Sequence, residues 1–332
     1  MKRIIKFLKT DIKIINSYFL FTIILIILVC IGYSSYALFS FTKTSTNVIE
    51  ATVGELKKSG ADTLIKLTDN KDNSGLYTIT HSAGSTLQIG ATEDIIEYRY
   101  RGASPKNYVI FNNEVWRIIG IFPTDDGSGN IENRIKLIRN ESIGTYKWNS
   151  TYSNNWTEAT LNAYLNGDYY NTLTSETQRM IKDTKYYLGG NIDEDATSKV
   201  MYRYERTTLE GGTYYYKKNP ISWTGKIGIM YISDYGYASS NCETKKLAGK
   251  PSEDLRACSD TNWLYKIKQE EWVISQCTRN GNSVFYIMVV GVIGSAYTYS
   301  NSMATRPVLY LTSAVKITGG SGTSTNPYTL GI

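Results

Sequence analysis

Residues 18–41 contain no charged side chain, and this run decides how much of the chain is left to fold in water. The segment "YFLFTIILIILVCIGYSSYALFSF" is long enough to cross a bilayer, for which about 20 apolar residues suffice. Ahead of it, residues 1–16 hold Lys2, Arg3, Lys6, Lys9 and Lys13 against Asp11, and so carry most of the formal net charge of +6. Basic residues before an apolar run stay on the cytoplasmic side, which sends the remainder of the chain outside. Two readings fit residues 17–41. One is a transmembrane anchor; the other is a signal peptide with its apolar core at 18–31 and cleavage after Ala37, where small residues cluster. The expected location is the cell membrane, reached through residues 17–41, with the domain outside, or secretion if the cut is made. Beyond this segment the chain is close to neutral and shows no basic stripe with interleaved aromatics, so no nucleic-acid partner is expected.

Cysteine usage fits export. Cys242 and Cys258 flank a polar loop of a length that a disulfide closes, worth about 3 kcal/mol. Cys277 is left over, either as a buried thiol or as an alternative partner of Cys258.

Residues 42–94 read as an extracytoplasmic stalk, Thr/Ser-rich at first, with a short helix at "ADTLIKL" and a strand at "GLYTIT". At residue 95 the pattern changes. "NYVIF" and "EVWRIIGIF" flank Asn112 and Asn113, a pair that tolerates positive φ and suits a tight hairpin, and "TDDGSGN" turns the chain into a third strand, "NRIKLI". Two short helices follow: "NWTEATLNAYLNG", with Thr157 as N-cap and Gly167 as C-terminal cap, and "SETQRMI", with Ser175 and Gln178 at capping-box spacing. Strands are then expected at "KYYLGG", "SKVMYRYE", "GKIGIMYI" and "WVIS". After these, "SVFYIMVVGVIG" reads as one strand, "SAYTYSNSMAT" as a loop and "RPVLYL" as a buried strand. Strands, helices and strands in that order predict an α+β domain over 95–312 with a mostly antiparallel sheet, finished by a closing segment over 313–332.

Three blocks, "FNNEVWRIIGIF", "GKIGIMYISDYGYA", and "EEWVIS" followed later by "ATRPVLYL", resemble in order and spacing an uncharacterised family of exported domains of Gram-positive bacteria. The resemblance covers residues 95–312. It implies a C-type-lectin-like fold, related to formylglycine-generating-enzyme-like folds, whose final third carries a loop-rich ligand face. The enzyme branch uses a late pair of cysteines, of which only Cys277 has a counterpart here, and Gln276 stands where the family has proline.

His81 is the single histidine, so a multi-histidine metal cage cannot be assembled, and HExxH, CxxC, GxSxG and phosphate-cradling glycine loops do not occur. No catalytic constellation is visible. The alternative to a binding role is a surface carbohydrate-active hydrolase built on a carboxylate pair such as Glu270 and Glu271. "NIDEDAT" places Asn191, Asp193 and Asp195 at calcium-ligand spacing, but Ala196 and Tyr202 stand where glycine and glutamate belong, so no cofactor is expected, with calcium as the alternative that a lectin-like resemblance leaves open.

Tyrosine is over-represented, with 28 of 332 residues, and Tyr/Ser/Gly/Asn mixtures are what binding loops use. The sequence therefore predicts a cell-surface binding or adhesion module for a glycan or protein. The predicted contacts are Tyr286, Met288, Tyr297, Tyr299 and Asn301, on a framework of Trp116, Trp272 and Arg306.

Overall fold

The computed structural model describes residues 58–84, 92–192, 197–207, 213–217, 219–248, 258–266 and 269–332. The basic segment, the expected anchor or signal at 17–41 and stalk residues 42–57 lie outside the described residues. Among the described residues no helix is long and apolar enough to cross a membrane.

Lys58–Ile332 forms one compact unit built on two sheets. The first runs in the order Tyr77–His81, Ile95–Arg99, Glu114–Asp125, Ile131–Arg139, Val308–Tyr310 and Ile227–Gly228, with Tyr108–Phe111 also paired to Glu114–Asp125, and every pairing in it is antiparallel. The second runs Ile293–Tyr297, Ser283–Ile287, Glu271–Cys277, Ser302–Ala304 and Thr145–Lys147, with one parallel pairing between Glu271–Cys277 and Ser302–Ala304. The class is α+β with mostly antiparallel sheets. The hairpin at Asn112 and Asn113 forms as expected, both residues having positive φ of 55° and 58°.

Tryptophans tie the unit together. Trp116, Trp148, Trp156, Trp263 and Trp272 are fully buried, and three of their indoles donate to distant carbonyls: Trp148 to Val273, Trp263 to Tyr100 and Trp272 to Tyr146. Arg306 grips Glu271 with Nε and Nη2 at 2.7 Å each and donates to Leu264 O at 2.8 Å, a buried bidentate pair beside Trp272. Cys242 and Cys258 form a disulfide, and Cys277 is a buried thiol.

Several local expectations are corrected. Residues 58–84 belong to the unit, not to a stalk: Gly60–Ile65 docks through Gly60 N to Val315 O at 2.6 Å, and Tyr77–His81 is a strand of the first sheet. "SKVMYRYE" is the helix Ser198–Glu205, capped by Thr197, because Ser198, Met201, Tyr202 and Glu205 recur at helical spacing and all turn inward. Gly167 does not end its helix; the chain passes through it in a π turn over Leu165–Tyr169 before Tyr170–Thr172. Nor does Thr157 cap, since Asn155 accepts from its N–H, and the N-cap of Ser175–Met180 is Thr174. "SVFYIMVVGVIG" is two strands: Met288 N donates to Val292 O at 2.8 Å and Gly291, at φ 77°, turns the chain back. The closing segment folds as the hairpin Lys316–Gly319 with Thr329–Gly331 and runs beside Tyr108–Phe111, where Ile110 N donates to Tyr328 O at 2.9 Å.

Candidate functional site

One face of the first sheet is charged and yet buried. Residues opposite one another in adjacent strands share a face, so the pairings Tyr77 with Arg99, Arg99 with Gly120, Gly120 with Lys136 and Lys136 with Tyr310 put Arg99, Lys136 and Tyr310 on the same side. Alternation adds Glu97 and His81 to that side. Two helices, Ser198–Glu205 and Ile232–Tyr237, contribute Tyr202, Glu205 and Asp234 to the cluster, and Arg206 follows the first of them.

Every charge in the cluster is matched. Arg99 donates twice to Glu97, at 2.9 and 2.7 Å, and once to Asp234 at 3.1 Å, while Lys136 Nζ donates to the other Asp234 oxygen at 2.5 Å. Asp234 also accepts from Tyr231 N at 3.0 Å, closing a capping box on its own helix. Glu205 accepts from the Ser233 N–H and hydroxyl, from Ser275 Oγ at 2.9 Å and from Arg206 Nη1 at 3.2 Å. His81 Nε2 lies 3.3 Å from Glu97 and its ring stacks on Tyr202 at 3.6 Å.

Burial sets the protonation tendencies and the partners decide most of them. Burial opposes the charge on Glu97, but Arg99, His81 and Arg206 together hold it well below the ordinary carboxylate range. Asp234 is likewise held down by Lys136 and Arg99 against burial, whereas Glu205 is raised by burial despite Arg206 and Ser233. Burial lowers Lys136 to about 8 even beside Asp234. At neutral pH the Lys136–Asp234 pair is therefore ionised.

Beside this cluster opens a cleft of about 720 Å³. Its lining includes Tyr98, Phe122, Tyr187, Tyr202, Tyr231 and Tyr310, with Arg203 and Arg206 entering from the C-terminal end of Ser198–Glu205 and Lys185 from the strand Thr184–Tyr187. Local structure fixes these groups. Tyr231 OH accepts from Tyr187 N at 2.8 Å and donates to Tyr187 O at 3.0 Å, and the Arg206 guanidinium lies 3.8 Å from the Tyr202 ring centre and 4.9 Å from that of Tyr231.

None of the five predicted contacts lines the cleft, and the structure divides them. Tyr297, 49% exposed, stacks on Tyr299 at 5.8 Å, and Tyr299 packs at 4.0 Å on Tyr152, itself 73% exposed; together they make an aromatic ridge. Asn301 is exposed nearby in sequence. Tyr286 and Met288 are half-buried and lie over Gly294, where an added Cβ would meet Tyr286 at 2.9 Å and Met288 at 3.2 Å. Tyr286 pairs with Gly294 whereas Tyr297 pairs with Ser283, so these two tyrosines point to opposite faces of the second sheet. Of the suggested carboxylate pair, Glu271 is buried in the grip of Arg306 and Glu270 is half-buried. Residues 193–196 of the calcium-like run lie outside the described residues, and Tyr202 belongs to a helix and stacks on His81. Among the described residues no group of three or more His, Cys, Asp or Glu side chains is arranged to hold a metal.

The cleft residues escaped sequence reasoning because they come from distant segments. A signal for the cluster was present in "IIEYRYR", where Glu97 and Arg99 alternate with tyrosines: charge on one side of a strand reads as a solvent face, and here it is covered by helices.

A family model for a domain of unknown function matches residues 132–313. The chain belongs to the DUF6273 family. No curated protein and no solved structure matches it. The DUF6273 match takes in Lys136, the helix Ser198–Glu205, Asp234 and Arg306, but starts beyond the strands that supply His81, Glu97, Arg99 and Phe122. The cleft is thus completed by chain that precedes the family match.

Proposed function

We propose that this DUF6273 chain is an extracytoplasmic binding module that holds a glycan in the cleft. The observation that carries the proposal is the cleft itself: a volume of about 720 Å³ with aromatic walls and a few charged groups held in place by an ion-paired sheet face. Concave sites of several hundred Å³ with largely apolar walls and few convergent polar groups are the usual form of a ligand site. Tyrosine suits a sugar, offering a flat face to ring C–H groups, a hydroxyl at its tip and little side-chain entropy to lose. Support for the extracytoplasmic part comes from the uncharged run at 18–41 behind a basic segment, and from the Cys242–Cys258 disulfide, which persists in oxidising compartments. The C-type-lectin-like relation, carried by the order of the three sequence blocks, belongs to the same proposal.

The test is a glycan array probed with the purified full chain in detergent, as wild type and as Tyr187→Ala. Tyr187 hydrogen-bonds Tyr231 through its backbone N–H and C=O, so the substitution removes the ring and spares those bonds. Glycans retained by the wild type and lost by Tyr187→Ala are expected. An array without hits, or hits that Tyr187→Ala keeps at full strength, counts against the cleft.

A further inference from the structure

We infer that the glycan held in the cleft presents an acidic sugar, with its carboxylate or phosphate seated on Arg203 and Arg206. The inference rests on the cleft being the glycan site and adds the chemistry of what it takes.

Three observations converge on an anion. Arg203 lines the cleft with its Nε buried and without a hydrogen-bond partner among the described residues. The side chain as a whole is part-exposed, and a guanidinium is a strong charge-assisted donor to an oxyanion that enters the cleft. Arg206 is 14% exposed in the same cleft, and among the described residues its hydrogen bonds run through one nitrogen, Nη1, to Glu205 at 3.2 Å and Ser233 Oγ at 3.5 Å. Packing against Tyr202 and Tyr231 keeps its guanidinium plane in place, so little freedom is lost when a ligand arrives. Thirdly, the charge balance leaves Arg203 over. Glu97 is engaged by Arg99, Asp234 by Arg99 and Lys136, and Glu205 by Arg206, so no carboxylate of the cluster is free to answer it.

The acidic residues that share the cleft do not cancel this attraction. Asp125 accepts from Gly127 N at 2.8 Å and Gly129 N at 2.9 Å and pairs with Lys185 at 3.4 Å. Asp94 accepts from Ala83 N at 2.7 Å and Glu93 is exposed at the rim. With Tyr98, Phe122 and Tyr187 as apolar wall, the remaining demand is for a ring that carries one acid group.

Isothermal titration of the purified full chain in detergent with D-glucuronic acid, D-glucose 1-phosphate and D-glucose tests this. At least one acid is expected to bind about 10-fold or more tightly than glucose, a difference of about 1.4 kcal/mol, and the stronger of the two acids identifies carboxylate or phosphate as the group recognised. Arg203→Gln and Arg206→Gln should each remove that advantage, read as the ratio of acid to glucose affinity within the same variant. Because Arg206→Gln also strips Glu205 of a partner, a melting curve accompanies it, and Arg203→Gln decides the matter if the other variant does not fold. Glucose binding as tightly as both acids, or an acid advantage that survives Arg203→Gln, overturns the inference while leaving the cleft reading intact, provided Tyr187→Ala still abolishes binding. Binding indifferent to Tyr187→Ala, or no binding of any probe at about 10 mM, overturns the cleft reading and this inference with it.

Discussion

Replacing Asp234 by asparagine keeps the shape of the side chain and removes one charge from the centre of the buried cluster. Three donors converge on this carboxylate: Arg99 Nη1 at 3.1 Å, Lys136 Nζ at 2.5 Å and Tyr231 N at 3.0 Å. Asparagine offers a single acceptor oxygen and turns an NH2 group toward a cation, so Lys136, fully buried, is left without a counter-charge. Removing one partner of a buried ion pair costs about 3–5 kcal/mol, a large share of the roughly 5–15 kcal/mol that holds a typical domain together. With about 2–4 °C of melting temperature per kcal/mol in a domain approaching this size, the expected drop is about 6–20 °C by circular dichroism. The double variant Asp234→Asn/Lys136→Met sharpens the test, because removing the stranded cation should restore part of the loss. A coupling energy on the order of 1–3 kcal/mol is expected from urea unfolding of the four proteins. If Asp234→Asn costs less than about 1 kcal/mol, or the two substitutions simply add, the ion-paired face is not what fixes the cleft.

Lys136 also predicts a pH dependence. Its folded value of about 8 lies below the ordinary 10.5, so between these values the unfolded chain binds the extra proton and the cost of burying a charged lysine fades as pH rises. The melting temperature of the wild type measured against Lys136→Met should accordingly rise from about pH 7 to about pH 9.5, and a flat difference would argue against it. Cys258→Ser, which opens a loop of sequence separation 16, should cost about 3 kcal/mol in urea unfolding of the oxidised protein; an unchanged midpoint would show that the disulfide does not constrain the loop. Thr197→Ala removes the hydroxyl that accepts from Val200 N at 3.4 Å and should cost about 1 kcal/mol, seen as faster amide exchange over Ser198–Glu205; unchanged exchange would mean that packing alone holds that helix.

The legible parts of the sequence were those fixed by local chemistry. Asn112 and Asn113 announce a hairpin because few other residues tolerate positive φ twice in succession, and the structure has that hairpin. Illegible parts are those in which distant contacts overrule local preference. Val and two tyrosines give "SKVMYRYER" a strand-like composition, yet burying Met201, Tyr202 and Glu205 selects a helix. In "IMVVGVIG" the turn falls on apolar residues, with Val289 and Val290 exposed at its tip, so only Gly291 marked it. The predicted ligand set was half local as well. Tyr297 and Tyr299 are close in sequence and do come together, but their neighbour Tyr152 enters from a segment distant in sequence, and Tyr286 points to the other face of its sheet. The cleft needed the relative placement of the first sheet, the strand Thr184–Tyr187 and a helix end, which no single window of sequence contains.

Two tyrosine-rich surfaces are therefore candidates for the proposed glycan site, the cleft and the ridge of Tyr152, Tyr297 and Tyr299, and one measurement separates them. Amide hydrogen exchange of the full chain is followed with and without a saturating glycan found on the array. The account predicts slowed exchange in Thr184–Tyr187, in Ser198–Glu205 and at Arg206 and Tyr231, with residues 297–301 unchanged. Protection confined to residues 297–301 and 150–153, with the cleft segments exchanging as before, would contradict it.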